Sequence, residues 1–88
     1  MPEIQLDHSF LFQMPAEELF TLAALIQHEN LDHQQHARIF RQSEQKSELL
    51  LERMRNSGIL IKRQKGYVIH LFLFRPIVRA LKAKNILH

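Results

Sequence analysis

Three cationic side chains lie within four residues of one another, between two apolar segments of the chain. They are Lys62, Arg63 and Lys65, and the segment "KRQKG" that contains them ends in a glycine. Closely spaced ammonium and guanidinium groups neutralise phosphates and release the counterions bound to them. The spacing therefore predicts a contact with a nucleic-acid backbone, and simple solvation of a loop tip is the alternative interpretation.

The charges of the whole chain are divided unevenly between its two halves. Residues 1–52 carry all nine acidic residues and only three of the twelve bases, whereas residues 53–88 carry no acid. Such asymmetry indicates an anionic partner for the basic half. Mutual neutralisation of the two halves in the folded protein is the alternative.

Six histidines suggest a metal site, because His28, His33 and His36 lie close together along the chain. Three neutral imidazoles can bind zinc. However, the chain has no cysteine, and helix capping explains the nearby acids Glu29 and Asp32. We therefore expect solvated histidines, no metal and no cofactor.

The sequence has no arrangement typical of an enzyme active site. Only two glycines are present, which excludes a glycine-rich phosphate loop, and no serine lies in a nucleophile elbow. The adjacent Glu17 and Glu18 face different directions on a helix, so they form a poor acid–base pair. We therefore expect that the protein is not an enzyme.

The composition indicates a single folded domain. The chain of 88 residues is 45% apolar and 24% charged, and it has no cysteine, which excludes disulfides and indicates a reducing compartment. The N-terminus lacks the pattern of a secretory signal. The longest apolar segment, residues 67–74, is far shorter than the roughly 20 residues of a membrane-spanning helix. We expect a cytoplasmic protein without a membrane span.

Apolar periodicity and capping signals divide the chain into a strand, three helices, a hairpin and a final helix. Apolar residues alternate along the first segment with Leu11 out of phase, and Asp32 and Gln35 can form a capping box. Ala37 and Phe40 would be the buried side of the second helix. The predicted bounds are about 4–13 for the strand, 15–28 and 33–41 for the first two helices, 59–63 and 67–73 for the hairpin strands, and 76–85 for the final helix.

The third helix is predicted to begin after Ser43, an N-cap candidate, and to end at Gly58. A left-handed conformation at Gly58 would allow Ile59 to pack back on Met54. Gly66 would supply the unusual dihedral angles of the tight hairpin turn.

The stretch "SELLLERMRNSGILIKRQKGYVIH" resembles the third helix and wing of the winged helix-turn-helix superfamily. In that pattern an amphipathic helix ends in glycine, and an aliphatic strand, a basic turn and a second strand with a leading aromatic residue follow. Ala37 also lies where the second helix of the pattern often has alanine. The resemblance covers about residues 15–71.

The resemblance implies an α+β fold, a small winged-helix domain over residues 1–88 with a three-helix core and a β-hairpin wing. The helix-turn-helix would cover about 15–57 and the wing about 59–73, with an added N-terminal strand and C-terminal helix. Members of the superfamily mostly bind DNA, with the third helix in the major groove and the wing on the neighbouring backbone or in the minor groove. A minority use the same shape for protein contacts.

We therefore predict that the partner is duplex DNA and that the protein is a transcriptional regulator or the DNA-contacting module of a larger protein. Gln and Asn side chains can read adenine, and Glu can accept a hydrogen bond from cytosine. The predicted contact residues are Lys62, Arg63 and Lys65 for the backbone, Gln45, Glu52 and Asn56 for base edges, and Lys46, Arg53, Arg38 and Arg41 for flanking phosphates.

The third helix also favours a different partner. Glu44, Glu48 and Glu52 recur every four residues and have the wrong sign for a phosphate backbone. Leu49 would be exposed among polar residues, which is more typical of a protein contact. The alternative is therefore a winged-helix interaction or dimerisation module. It would use the Leu49 face or the C-terminal helix, which carries Arg75, Arg79 and Lys82 on one side.

Overall fold

A computed structural model of the protein describes residues 9–87. In chain order the elements are a 3-10 helix at Ser9–Phe12, α1 at Ala16–His28, α2 at His33–Phe40, α3 at Glu44–Asn56, β1 at Leu60–Arg63, β2 at Gly66–Ile69, a 3-10 helix at Leu71–Leu73 and α4 at Phe74–Ala83. The fold is α+β, with four α-helices and one two-stranded antiparallel sheet among the described residues. Within residues 9–87, no helix combines the length and the apolar character needed to cross a membrane.

Local capping signals set the N-terminal bounds of α2 and α3. The Asp32 carboxylate accepts a hydrogen bond from the Gln35 N–H at 2.8 Å, and the Gln35 side chain accepts one from the Asp32 N–H at 3.1 Å. The Ser43 hydroxyl likewise accepts from the Lys46 N–H at 3.1 Å. These bonds satisfy N–H groups that the first turn of a helix leaves without partners. The predicted capping box and N-cap are confirmed.

The end of α3 also follows the prediction. Gly58 has a φ of +87°, in the left-handed region that favours glycine. The Ile59 N–H then donates to the Met54 carbonyl oxygen at 3.1 Å, and both side chains are buried. This reversal directs the chain from α3 into β1.

The hairpin turns tightly at Gln64 and Lys65. Across it Lys62 pairs with Tyr67 and Arg63 pairs with the first residue of β2. Alternation along the strands therefore places Lys62 and Tyr67 on one face of the hairpin and Arg63 on the other.

A third segment pairs with the hairpin. Leu31, between α1 and α2, forms an isolated bridge with Tyr67, in which the two backbone N–H···O distances are 2.7 and 3.1 Å. A Cβ atom on Gly66 would lie 2.5 Å from the Leu31 carbonyl carbon and 2.7 Å from the backbone nitrogen of Asp32. Gly66 is therefore required chiefly because the backbone of Leu31 passes so close, a constraint that adds to its φ of +136°.

One apolar core lies beneath the helices and the hairpin. Burial of side chains of this size is the main favourable contribution to folding, roughly 1.5–3 kcal/mol for each. The fully buried members include Leu22 and Leu25 of α1, Leu51 and Met54 of α3, Tyr67 of β2, and Ile77 and Leu81 of α4. Ile86 and Leu87 pack against this core from the C-terminus.

The predicted N-terminal strand is wrong over residues 9–13, where Ser9–Phe12 form a 3-10 helix and residue 13 lies in a bend. Leu11 is 1% exposed, whereas Phe10 and Phe12 are 39% and 50% exposed. Leu11, the one residue out of phase with the alternation, is therefore buried in the core, whereas the alternating Phe10 and Phe12 remain partly exposed. The earlier part of the predicted strand, residues 4–8, lies outside the described residues.

The predicted second strand of the hairpin ends early, at Ile69 rather than at residue 73. The Nδ1 atom of His70 accepts a hydrogen bond from the Phe72 N–H at 3.2 Å, and the chain turns into a 3-10 helix. The last helix then begins at Phe74, two residues before Pro76, and ends at Ala83. Proline is tolerated there because N–H groups in the first turn have no intrahelical partner.

Candidate nucleic-acid interface

The hairpin tip presents three exposed cations. Lys62, Arg63 and Lys65 are all exposed, and none of them forms an ion pair with an acid of residues 9–87. The Lys62 Nζ atom lies 5.7 Å from the centroid of the Tyr67 ring, on the side of the hairpin that faces α3. The tip is thus a positively charged protrusion with cations on both of its faces.

A shallow groove runs along the side of the hairpin that faces away from α3. Arg63, Gln64 and Lys65 line it from the tip, and Asn30 and Val68 line it from the base. Its polar lining comes from amide, ammonium and guanidinium groups that donate hydrogen bonds. An anionic oxygen on a neighbouring strand of nucleic acid would meet favourable partners there.

A hydrogen bond between two side chains attaches the hairpin to α3. The buried phenol of Tyr67 donates to the Glu52 carboxylate, and Arg55 donates to the other side of the same carboxylate at 2.9 Å. The bond from Tyr67 lowers the pKa of Glu52, and the neighbouring Arg55 lowers it further. Burial and the bond to Glu52 raise the pKa of Tyr67. Glu52 is therefore ionised and engaged at neutral pH.

This engagement bears on the predicted role of Glu52 as a base reader. Its carboxylate accepts from Tyr67 and Arg55, so a base edge would have to share or displace these donors. Its negative charge is also locally compensated by Arg55 and by Lys62 nearby. Glu52 thus connects α3 to the hairpin and repels a phosphate backbone less than an isolated carboxylate would.

The remaining predicted residues of α3 lie on its exposed side. Gln45, Lys46 and Asn56 are exposed, as is Arg53, whose guanidinium contacts the Glu17 carboxylate of α1 at 3.3 Å. That ion pair is solvated on both sides, so it holds Arg53 weakly. These side chains are free to approach a ligand placed along α3.

Arg38 and Arg41 belong to α2 and its C-terminal cap rather than to the hairpin or α3. Arg38 is exposed on α2, and Arg41 is the left-handed C-cap of the same helix with a φ of +54°. No hydrogen bond or ion pair within residues 9–87 joins either of them to the hairpin or to the exposed face of α3. The structure therefore joins the hairpin to α3 through side-chain hydrogen bonds, and within residues 9–87 no such bond connects the two arginines to either element.

The exposed face of α3 keeps its acidic and apolar character. Glu44 and Glu48 are exposed, and Leu49 is 66% exposed between polar neighbours. Leu49 therefore lies where the sequence predicts it, on the surface available to a partner.

A buried histidine connects the first three helices. His36 is 1% exposed; its Nε2 atom lies 2.8 Å from the Thr21 hydroxyl and its Nδ1 atom lies 2.7 Å from the Ser47 hydroxyl. Phe40 stacks on the His36 ring with centroids 4.4 Å apart. The predicted buried side of α2 is thus wrong in part, because His36 and Ala37 are buried and Phe40 is only half-buried.

The hydrogen bonds around His36 define its protonation state. The Thr21 hydroxyl donates to the Glu17 carbonyl at 2.7 Å, so its oxygen must accept from His36 Nε2–H. Nδ1 then accepts from Ser47, whose oxygen accepts from the Gln42 amide at 2.9 Å. Each of these four hydrogen bonds has one donor and one acceptor when the His36 ring is neutral. Burial lowers the pKa of His36, although the charge of Glu17 opposes this shift.

This network is structural, and it removes His36 from the zinc hypothesis because both ring nitrogens are engaged. No group of three potential metal ligands is present among the residues that the structure describes. Neither this network nor the Tyr67–Glu52 bond is predicted from the sequence. The one signal for the network is Ser47, which lies three and four residues before the apolar Leu50 and Leu51 and so shares their face of α3. A hydroxyl buried on that face needs a polar partner.

Comparison of the chain with protein-family models, with curated proteins and with solved structures gave no match.

Proposed function

We propose that the protein is a winged-helix domain that binds duplex DNA, as a transcriptional regulator or as the DNA-contacting module of a larger protein. In this proposal the hairpin is the wing and contacts the phosphate backbone, while α3 approaches the adjacent groove. Three helices followed by a basic hairpin support the assignment of the fold. The proposed function rests on the geometry of the site, since a fold alone does not define function.

The observation that carries the proposal is the position of the hairpin tip relative to α3. Tyr67 is attached to Leu31 by two backbone hydrogen bonds and to Glu52 by its phenol. The exposed cations therefore extend from a hairpin whose base is held at two points. A tip ordered before binding loses little conformational entropy when it contacts phosphates.

The proposed contact set follows from this geometry. Lys62, Arg63 and Lys65 would neutralise phosphates, and Gln45 and Asn56 would approach base edges. Lys46 and Arg53 would contact phosphates at the side of α3. Arg53 would exchange its ion pair with Glu17 for one with a phosphate. Glu52 would orient the wing through its hydrogen bond with Tyr67. In this proposal that role takes the place of the base contact predicted for Glu52 from the sequence.

Charge reversal at the tip tests the proposal. The variant Lys62→Glu, Arg63→Glu, Lys65→Glu should lose retention of random duplex DNA at low salt. The matched control is Arg75→Glu, Arg79→Glu, Lys82→Glu, which changes the net charge equally on exposed residues of α4. Circular dichroism would establish that both variants fold. Equal loss of affinity in the two variants, or no binding by the wild type, would exclude a specific role for the wing.

A second candidate function is protein interaction through α3. One specific observation favours it: Leu49 is 66% exposed beside the exposed acids Glu44 and Glu48. An apolar side chain flanked by like charges is suited to a basic, partly apolar partner. Sedimentation of the purified domain tests this candidate, which predicts association that weakens as salt is added.

A further inference from the structure

The outer face of α4 combines cations with an apolar row. Arg75, Arg79 and Lys82 are exposed, and Phe74 (43% exposed) and half-buried Val78 lie beside them along the helix. These five residues line one open groove. No acid lies in α4 or in the 3-10 helix before it, so nothing within these elements neutralises the cations.

The exposed face of α3 has the opposite charge and the same spacing. Glu44 and Glu48 form an acidic row four residues apart, and Gln45 and Leu49 form a neighbouring row at the same spacing. Glu52 continues this face towards the C-terminus of the helix. Residues four apart are neighbours on one side of a helix, so each pair forms a continuous strip.

The order of the strips differs between the two helices. On α4 Arg75 and Arg79 each follow a residue of the apolar row by one position, whereas Lys82 continues that row four residues after Val78. On α3 each acid precedes a residue of the neighbouring row, which contains Leu49, by one position. One residue corresponds to a rotation of about 100° in the same sense in every α-helix. Seen from outside, Arg75 and Arg79 therefore lie to the right of the apolar row on α4, and the acids of α3 lie to the left of the row that contains Leu49.

This difference selects one relative orientation of the two helices. When two helices face each other and run parallel, the right side of one meets the left side of the other. The acidic row then meets the cationic row, and Leu49 meets Val78. In the antiparallel orientation the cationic row would instead meet the row that contains Leu49, and the acidic row would meet the row that contains Val78. The same parallel alignment places Glu44 opposite Arg75 and Glu48 opposite Arg79.

We propose that α3 of one copy of the protein packs in parallel on α4 of a second copy. The contact joins two different surfaces. In a dimer, the copy that uses its α3 retains a free α4 face, and the copy that uses its α4 retains a free α3 face. Contacts of this kind form open chains unless their rotation closes a ring. The average mass should therefore keep rising with protein concentration and should not stop at the dimer.

Exposed ion pairs are weak and are screened by salt. The association should therefore be reversible and strongest at low ionic strength. It uses the face of α3 that meets DNA in the proposed function, so one α3 cannot do both at once. The self-association does not require that the DNA proposal be correct.

Two charge-reversed variants test this contact by sedimentation velocity at low salt. The first is Glu44→Arg, Glu48→Arg, and the second is Arg75→Glu, Arg79→Glu. Each alone has two faces of the same sign and should remain monomeric where the wild type associates. Mixed together, the basic α3 of the first meets the acidic α4 of the second, and association should return.

The matched control is Lys62→Glu, Lys65→Glu, which alters the same number of cations on the hairpin and should associate like the wild type. A wild type that stays monomeric at all concentrations in low salt would overturn the proposal, and so would a mixture of the two variants that fails to associate. Binding of monomeric wild type to vesicles of anionic lipid, lost in Arg75→Glu, Arg79→Glu, would overturn it in favour of a membrane contact. Because no DNA is present, these outcomes are independent of the test of DNA binding.

Discussion

The phenol of Tyr67 donates a hydrogen bond to the carboxylate of Glu52 and joins the hairpin to α3. Lys62 pairs with Tyr67 across the hairpin, so the same contact determines where the cationic tip lies relative to the exposed face of α3. Arg55 completes the arrangement by holding Glu52 from its own helix. One buried side chain thus couples the folding of the hairpin to the geometry of the proposed interface.

Removing the Tyr67 hydroxyl should weaken this coupling. We expect Tyr67→Phe to lower the free energy of unfolding by about 1 kcal/mol, because water can replace the phenol at the partly exposed carboxylate. The pKa of Glu52 should rise towards its ordinary value, since the bond from Tyr67 is the largest cause of its lowering. Urea denaturation and an NMR titration of the Glu52 carboxyl group measure the two effects. An unchanged pKa of Glu52 in the variant would show that the bond is not formed in solution.

Stability should fall in mild acid because of His36. Burial lowers the pKa of His36 below its ordinary value of about 6.5, so below that pH the unfolded chain binds a proton that the folded protein resists. The stabilisation is complete above about pH 6.5 and is lost as the pH falls towards the pKa of the folded state. Urea midpoints measured between pH 7.5 and 5 should therefore decrease.

The variant His36→Gln is the control for this pH dependence. It removes the titrating ring and retains an amide for Thr21 and Ser47, so its midpoint should be lower at pH 7.5 but flatter over the same range. An equally steep decrease in the variant would assign the effect to other groups.

Signals that act within a few residues predicted most of the helical structure. The capping box at Asp32, the N-cap at Ser43 and the reversal at Gly58 each depend on neighbouring backbone atoms, and all three are present. The predicted bounds of the first three helices agree with the structure to within one or two residues. The pairing of the hairpin follows from the same short-range information.

Contacts between distant segments could not be predicted in this way. Leu11 is buried because the core needs an apolar side chain at that point, whatever the alternation around it. The bridge between Leu31 and Tyr67 joins residues 36 positions apart, so the local geometry of the turn does not by itself explain why residue 66 is glycine. The bond from Tyr67 to Glu52 has no sequence signature, because an aromatic residue at the start of a strand predicts burial but not its hydroxyl partner.

The two glycines should respond differently to alanine. Gly66→Ala should destabilise the protein by more than about 2 kcal/mol, since its Cβ would lie 2.5 Å from the backbone of Leu31. Gly58→Ala should cost about 1 kcal/mol, because its Cβ would meet open space and only the left-handed conformation opposes it. Thermal and urea denaturation of the pair would measure both values. Equal effects would argue against the close approach of Leu31 to the hairpin.

Neutralising the acids of α3 should change DNA binding and self-association in opposite directions. If α3 approaches a phosphate backbone, Glu44→Gln, Glu48→Gln should increase the affinity for duplex DNA, by on the order of threefold, because two repulsive charges are removed. The same variant should weaken self-association, because its α3 no longer pairs with Arg75 and Arg79. Fluorescence anisotropy and sedimentation on one preparation measure both quantities. Unchanged DNA affinity would place α3 away from the phosphates.

The most direct test of the central claim is a titration of the wild-type domain with random duplex DNA at two salt concentrations. Each phosphate neutralised contributes about −0.9 to the slope of log K against log salt, so three contacts at Lys62, Arg63 and Lys65 predict a slope near −2.7 or steeper. Between 50 and 200 mM salt the affinity should therefore fall by roughly 40-fold or more. Absence of binding at 50 mM salt, or binding that does not change with salt, would contradict the account.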